Sequence, residues 1–235
     1  MRKAALSLIL LSWPAGLLWP TAALARPPVL VELYTAQGCG PCAEANAYVG
    51  KLAERQGVLA LTFPVDYWDY LGWADTFARP EFTARQKAYV ARLKLREPYT
   101  PQVVVDGLGE AAALKTTEVD KLLKTAEAER MNPPDMAFIG QRRVDVGVGR
   151  VPRGGAEVWL IRYDPREIEV AVKGGDNRGE TVIQRNVVRE IRRLGAWRGR
   201  PQAYRLAPAA EDGLKSVVVV QQPRGGRVLA VAQPG

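Results

Sequence analysis

The two cysteines of this 235-residue chain, Cys39 and Cys42, are separated only by a glycine and a proline. Two thiols at this spacing can close a small disulfide. A strand-like apolar run, residues 29–34, precedes the pair, and a helix-like run, residues 43–55, follows it. A helix N-terminus favours negative charge and lowers the pKa of a nearby thiol. The pattern therefore predicts a redox-active pair, in which an exposed Cys39 attacks as a thiolate and a more buried Cys42 resolves the mixed disulfide.

A purely structural disulfide and a metal site are the alternatives. In the loop-entropy model a bridge across so few residues stabilises by only about 2 kcal/mol, against about 3 kcal/mol for a fifteen-residue loop. A structural zinc needs four ligands, and this chain has two thiols and no histidine. We therefore favour a redox role over a purely structural disulfide, and we expect neither a metal nor a cofactor.

The N-terminus has the composition of a secretory leader. Arg2 and Lys3 are basic, residues 4–19 are mostly apolar, and Ala23-Leu24-Ala25 matches the small-x-small pattern of a cleavage site. We predict a signal peptide at residues 1–25 and a periplasmic or secreted protein with no stable membrane span after cleavage. An uncleaved anchor is the alternative. In an oxidising compartment a close cysteine pair forms a disulfide unless something reduces it.

The formal net charge of +8 does not by itself indicate a nucleic-acid partner. The Lys and Arg residues are scattered, and no arginine-rich block is interleaved with stacking aromatics. An acidic protein or an anionic envelope surface fits the charge as well. We expect exported protein thiols or disulfides and an unidentified redox partner, and no nucleic acid.

The elements after the motif alternate between strand and helix. Residues 58–63 read as a strand parallel to the first, because a helix joins the two. Residues 81–95 read as a helix with Arg85 facing outward. A Thr100-Pro101 dipeptide stands directly before the strand at 103–105, where a proline is tolerated and a cis bond is a candidate. A further helix ends near residue 130.

An aromatic segment, residues 66–73, lies between the second strand and the second helix and has neither helical nor alternating periodicity. Two hypotheses fit it. The segment packs as a satellite core that seats the next helix, or its Tyr67, Trp68 and Trp73 form a wall beside the cysteines. The two are compatible, because one face can pack inward while the other faces a groove.

The composition changes after residue 132, where Pro133-Pro134 follows the last helix of the first half. Short strand-like runs alternate there with Gly/Pro turns, including Asp164-Pro165 and residues 174–179, and this pattern favours an antiparallel sandwich or curled sheet. The basic, β-branched stretch 185–193 is interpreted as a strand with one solvated face.

Several motifs resemble known families. The Cys-Gly-Pro-Cys tetrapeptide is the one that thioredoxin carries, and Thr100-Pro101 matches the cis-proline position of that superfamily. The chain is also similar to a secreted family called domain of unknown function 1223. The segments that carry this similarity are 31–39, 65–73, Arg85-Gln86, 99–105, 186–189 and 194–197. Members of that family often have serines between the cysteines and a histidine at position 64; this chain has Gly-Pro and Pro64 instead.

The resemblance implies an α/β fold, with a thioredoxin-like domain and an aromatic-rich insertion at residues 26–132 and a β-rich, sandwich-like domain at 133–235. It further implies that the backbone of Thr100, held by cis-Pro101, pairs with a substrate strand. With no histidine in the chain, a proton relay to Cys42 needs another group, and Glu32 and Asp66 are the candidate carboxylates.

Three functions remain open. The leading hypothesis is an exported thiol–disulfide oxidoreductase. The second is a non-catalytic envelope binding module with a structural disulfide. The third is an envelope redox sensor whose aromatic segment moves when the Cys39–Cys42 bond opens.

Overall fold

The structure, a computed structural model, describes residues 27–129 and 133–234, so the predicted leader lies outside the described residues. The helices are α1 (Cys42–Leu52), α2 (Pro80–Leu93) and α3 (Thr116–Ala128). The strands of the first half are β1 (Val29–Thr35), β2 (Val58–Pro64), β3 (Gln102–Val105) and β4 (Gly109–Ala112). The strands of the second half are β5 (Met136–Phe138), β6 (Arg143–Val146), β7 (Ala156–Ala171), β8 (Thr181–Trp197), β9 (Gln202–Arg205), β10 (Lys215–Gln221) and β11 (Val228–Ala232).

The first half has the predicted alternation of strand and helix. β1 and β2 are parallel over seven residue pairs, and α1 makes the crossover between them, which confirms that prediction. β3 adds antiparallel to the other side of β1, and β4 follows it as a hairpin. β1 is an apolar run buried on both faces, as expected of a central strand.

The strands of the second half extend the same sheet. Its eight strands run in the order β11-β10-β7-β8-β2-β1-β3-β4, and β8 joins β2 in parallel at Thr62 and Val187. The predicted division after residue 132 therefore does not separate two sheets. A small antiparallel sheet, β5-β6-β9, lies outside the large one. The alternating apolar and polar residues of β8 indicate a strand, but they do not indicate that this strand pairs with β2.

The prediction of a turn at Asp164-Pro165 is wrong. Both residues lie inside β7, and the register of β7 against β8 shifts between Asp164 and Glu167. A bulge of this kind tolerates a proline that cannot donate to the ladder. What the sequence indicates as two strands is one long bent strand, and the hairpin turn lies further on, at residues 172–180.

Alternate residues of β1 face two hydrophobic cores. Val29, Val31 and Leu33 pack with α1 and α3, whereas Leu30 and Tyr34 pack with α2 and the strands of the second half. Both cysteines belong to the second core. Because side chains alternate along a strand, Glu32 shares the face of Leu30 and Tyr34. Within residues 27–129 and 133–234, no helix is long and apolar enough to cross a membrane.

Candidate redox site

Cys39 and Cys42 form a disulfide at the start of α1. Cys42 is the first residue of the helix, Pro41 occupies the position before it, and the Cys42 amide donates to the Cys39 carbonyl at 3.1 Å. Both cysteines are 0% exposed. The expectation that Cys39 is the more exposed of the two is therefore wrong, because loops from three other parts of the chain cover the motif.

The first covering segment is the cis-proline loop, Thr100–Pro101. Its peptide bond is cis, as predicted, and Pro101 is buried. The Thr100 hydroxyl donates to the Sγ atom of Cys39 at 3.4 Å. It in turn accepts a hydrogen bond of 2.7 Å from the indole Nε1 of Trp68. Thr100 therefore links the disulfide to the aromatic segment.

The aromatic segment, residues 66–73, faces both inward and outward around a short 3-10 turn at Asp69–Leu71. Tyr67 and Trp68 are half-buried and pack against the core that contains the cysteines. Burial raises the pKa of Tyr67 to about 12. Tyr70, on the 3-10 turn, is 80% exposed. The segment thus packs as a satellite of the core while Trp68 bonds to the loop that covers Cys39.

Gln37, two residues before the first cysteine, connects the aromatic segment to the motif. Its side chain is fully buried and accepts hydrogen bonds from Trp73 Nε1 at 2.9 Å and from the Thr76 amide at 3.3 Å. Its own amide donates to the Thr76 hydroxyl at 2.9 Å and more weakly to Gln184. The backbone of Gln37 donates to Asp75 at 2.7 Å. The sequence gives no signal for this role of Gln37, since a polar residue before a turn normally faces solvent.

Burial raises the pKa of Asp75, whereas the backbone N–H groups that it accepts lower it. Those donors are the amides of Gln37, Phe77 and Ala78. The Asp75 carboxylate therefore connects the chain between the aromatic segment and α2 to the backbone of Gln37.

The β7–β8 loop, residues 172–180, covers the motif from the second half of the chain. The side-chain amide of Asn177 donates to the carbonyls of Gln37 at 2.9 Å and Cys39 at 2.7 Å. The backbone amide of Asp176 donates to the Gly38 carbonyl at 2.9 Å. The glycine-rich sequence of this loop indicates only a turn. Nothing in its sequence indicates that it lies against residues some 140 positions earlier.

Glu32, the first candidate relay, is committed to a different group of side chains. Its carboxylate accepts from Arg85 at 2.6 and 2.9 Å, from Tyr89 at 2.6 Å and from Tyr34 at 3.0 Å. Arg85 is buried, so the prediction that it faces outward is wrong. Gln221 of β10 completes this group by bonding to both Arg85 and Tyr89. We refer to these five residues as the Glu32 cluster.

The electrostatics of the Glu32 cluster follow from burial and pairing. Burial alone would lower the pKa of Arg85, but the facing Glu32 carboxylate raises it well above its ordinary value. Burial, reinforced by the same carboxylate, raises the pKa of both Tyr34 and Tyr89. The carboxylate of Glu32 accepts no hydrogen bond from either cysteine.

Asp66, the second candidate relay, accepts a hydrogen bond of 2.7 Å from the Thr83 hydroxyl, and its own amide donates to the same oxygen at 3.4 Å. These contacts connect the aromatic segment to α2. Neither candidate carboxylate is hydrogen-bonded to the disulfide. Among the described residues, no group of three or more Cys, Asp and Glu side chains has the arrangement of a metal site.

Two solved structures are similar to this chain. The crystal structure of protein AGR_C_4864 from Agrobacterium tumefaciens matches with a TM-score of 0.74 and 27% sequence identity, over 91% of this chain and 96% of that one. HBP35 of Porphyromonas gingivalis matches with a TM-score of 0.58 and 13% identity, over 88% of this chain and 74% of that one, which is a likeness of fold alone. No curated protein matches the chain significantly.

A family model described as "Protein of unknown function (DUF1223)" matches residues 30–221. The match begins in β1 and ends in β10, so it includes the disulfide, the cis-proline loop, the aromatic segment and the β7–β8 loop. Because it spans well over half of the sequence, this chain belongs to the DUF1223 family.

Proposed function

We propose that this protein is an exported, thioredoxin-like thiol–disulfide oxidoreductase that exchanges disulfides with exported proteins through Cys39 and Cys42. The observation that carries the proposal is the contact between Cys39 and the cis-proline loop. A disulfide at the N-terminus of α1 lies beside cis-Pro101, and the Thr100 hydroxyl donates to the Cys39 sulfur. The strand order β2-β1-β3-β4 around this site supports a thioredoxin-like interpretation.

In the direction that starts from the disulfide, a partner thiolate attacks Cys39 Sγ, the Cys39–Cys42 bond breaks, and Cys42 leaves as a thiolate. A second partner thiolate then attacks the partner sulfur of the mixed disulfide and releases Cys39. The pair gains two electrons and the two protons of the partner thiols, and the partner becomes a disulfide. The reverse sequence reduces a partner disulfide. The positive end of α1 stabilises the thiolate formed in either direction.

Access to Cys39 requires a movement, because the residue is fully buried. The side chain of Trp68 is the element to move, since it is half-buried and is bonded to Thr100 through one hydrogen bond. Displacing it frees the Thr100 hydroxyl that bonds to Cys39. We propose the backbone of Thr100 as the pairing site for an extended substrate segment. Tyr67 and Trp73 of the same aromatic segment are the proposed walls of the groove.

The test is an insulin-reduction and disulfide-exchange assay on the wild type, Cys39→Ser and Cys42→Ser. We expect turnover by the wild type and none by Cys39→Ser. We expect Cys42→Ser to accumulate a mixed disulfide with the partner, because the resolving thiol is missing. The double variant Cys39→Ser/Cys42→Ser is the matched control, since serine is close to cysteine in size and leaves no thiol. Absence of exchange by the wild type, or unchanged exchange by Cys39→Ser, contradicts the proposal.

A second candidate, a binding module with a structural disulfide, is favoured by the complete burial of both cysteines. It predicts a reduction potential below about −300 mV, which is typical of stable structural bridges. It also predicts that partner binding survives replacement of both cysteines. Equilibration with glutathione buffers, followed by mass spectrometry, separates the two candidates.

A further inference from the structure

The side chain of Asn177 is dedicated to the cysteine motif. A side-chain amide has two N–H donors, and the amide of Asn177 makes two hydrogen bonds, to the carbonyls of Gln37 and Cys39. The residue is only 7% exposed. Cys39 lies 138 positions away in the sequence. A buried asparagine at the tip of a hairpin is thus committed to the backbone that carries the first sulfur.

The neighbouring residues of the β7–β8 loop add to this contact. Asp176 donates its backbone amide to the carbonyl of Gly38, so three successive carbonyls, at 37, 38 and 39, accept hydrogen bonds from the loop. Gly175, at a φ of +72°, approaches so closely that a Cβ atom there would lie 2.7 Å from the Gly38 Cα and carbonyl oxygen. The loop therefore holds the segment before α1 as a backbone clamp.

A clamp of this kind affects the redox equilibrium of the pair. After the disulfide is reduced, the two thiols remain close to each other only if the backbone of residues 37–42 keeps its conformation. A restrained backbone raises the effective concentration of one thiol at the other and so favours the disulfide. Loosening the backbone lowers that concentration and makes the pair easier to reduce.

We propose that Asn177 is a positioning residue of the redox site: it fixes the main chain of Cys39 and thereby favours the disulfide over the dithiol. The inference rests on the proposed function for its biological meaning, but its measurement does not require a protein substrate. The equilibrium is that of one disulfide and two glutathione thiols with one dithiol and one oxidised glutathione. Two electrons and two protons pass from glutathione to Cys39 and Cys42.

The experiment compares the glutathione equilibrium constants of the wild type and Asn177→Ala. We expect the alanine variant to shift the equilibrium about tenfold toward the dithiol, which corresponds to a potential about 30 mV more oxidising. Asn177→Asp keeps the size of the side chain but has no N–H donors, and we expect a shift at least as large. Asn177→Ser keeps one donor and gives an intermediate shift; it also serves if the alanine variant does not fold.

Asn186 provides the matched control. Its side-chain amide also donates to a backbone carbonyl, that of Ala60 at 2.8 Å, and it lies on β8 rather than in the loop that bonds to the cysteine motif. Its φ of +52° means that Asn186→Ala also introduces backbone strain, so the loss of stability is at least comparable. We expect its equilibrium constant to stay within twofold of the wild type.

Two outcomes overturn the inference. Either the Asn177 variants keep the wild-type equilibrium constant, so that their effect is on stability alone, or Asn186→Ala shifts the constant as much as they do. A wild type without exchange activity contradicts the proposed function and leaves this measurement intact. An active wild type with unchanged Asn177 variants contradicts only the role of Asn177.

Discussion

The disulfide and the Glu32 cluster belong to the same side of the sheet, but they are enclosed in different ways. The Glu32 cluster is built from side chains on regular elements, β1, α2 and β10, that bond to one another. The disulfide is enclosed by loops. The cis-proline loop bonds to one sulfur, the β7–β8 loop bonds to the backbone of Cys39, and the aromatic segment bonds to the cis-proline loop.

The two regions differ in how much free energy is needed to move their contacts. Every partner of the Glu32 carboxylate lies on a packed helix or strand, and moving Arg85 would leave a buried charge without its counterion, which is strongly unfavourable. The contacts around the disulfide are neutral hydrogen bonds from loops, each worth about 1 kcal/mol. The charged region therefore stabilises the fold, and the neutral region has the freedom to open.

Breaking the charged region has the largest expected effect. We predict that Arg85→Met lowers the free energy of unfolding by about 3–5 kcal/mol, because it leaves the Glu32 carboxylate buried without its counterion. Urea denaturation followed by tryptophan fluorescence measures the change. Arg92→Met on the same helix is the control, since Arg92 is exposed and, within residues 27–129 and 133–234, bonds only to Gln222; we expect less than about 0.5 kcal/mol. A loss below about 1 kcal/mol in Arg85→Met would show that the pair is not the stabilising element.

Removing the disulfide has a smaller expected effect. We predict that the double variant Cys39→Ser/Cys42→Ser loses about 2 kcal/mol of unfolding free energy relative to the disulfide-bonded wild type, as the loop-entropy model gives for so short a loop. The reduced wild type is the control for the substitutions themselves, because it differs from the double variant only in the two sulfurs. A loss as large as that of Arg85→Met would contradict the division between a stabilising and an opening region.

Loosening one loop has the smallest effect on stability and a specific effect on rate. We predict that Trp68→Phe, which removes the donor to Thr100, changes the unfolding free energy by about 1 kcal/mol or less. We expect it to raise the rate of disulfide reduction by dithiothreitol about threefold. Trp73→Phe removes a comparable indole donor, to Gln37, without uncovering Cys39, and should leave the rate unchanged. Equal rates in the wild type and both variants would exclude Trp68 as the cover.

Patterns that are local in the sequence predicted much of the first half of the fold. The periodicity of residues 29–63 predicts a strand, a helix and a parallel strand. The proline directly before β3 makes a cis bond a candidate, and the resemblance to the cis-proline position of a known superfamily implies it. Local patterns do not give the partner of a strand: β8 has the alternation of any half-buried strand, and its position beside β2 depends on the whole sheet.

The site residues follow the same rule. The spacing of Cys39 and Cys42 is sufficient to predict a disulfide between them, and Thr100 is expected from the resemblance to the cis-proline position of a known superfamily. Asn177 is out of reach of any local pattern, because its partners lie about 140 residues earlier. Arg85 was assigned to the wrong face because a cation on a helix normally faces water, and only the burial of Glu32 reverses that preference.

The distance in sequence between Cys39 and Asn177 has a consequence for biosynthesis. A chain elongating at about 5–20 residues per second makes the 138 residues between them in roughly 7 to 28 s. During that interval both thiols exist without the loop that later covers them. The cysteine pair of a newly made chain therefore remains uncovered for seconds, until the residues of its own hairpin have been made.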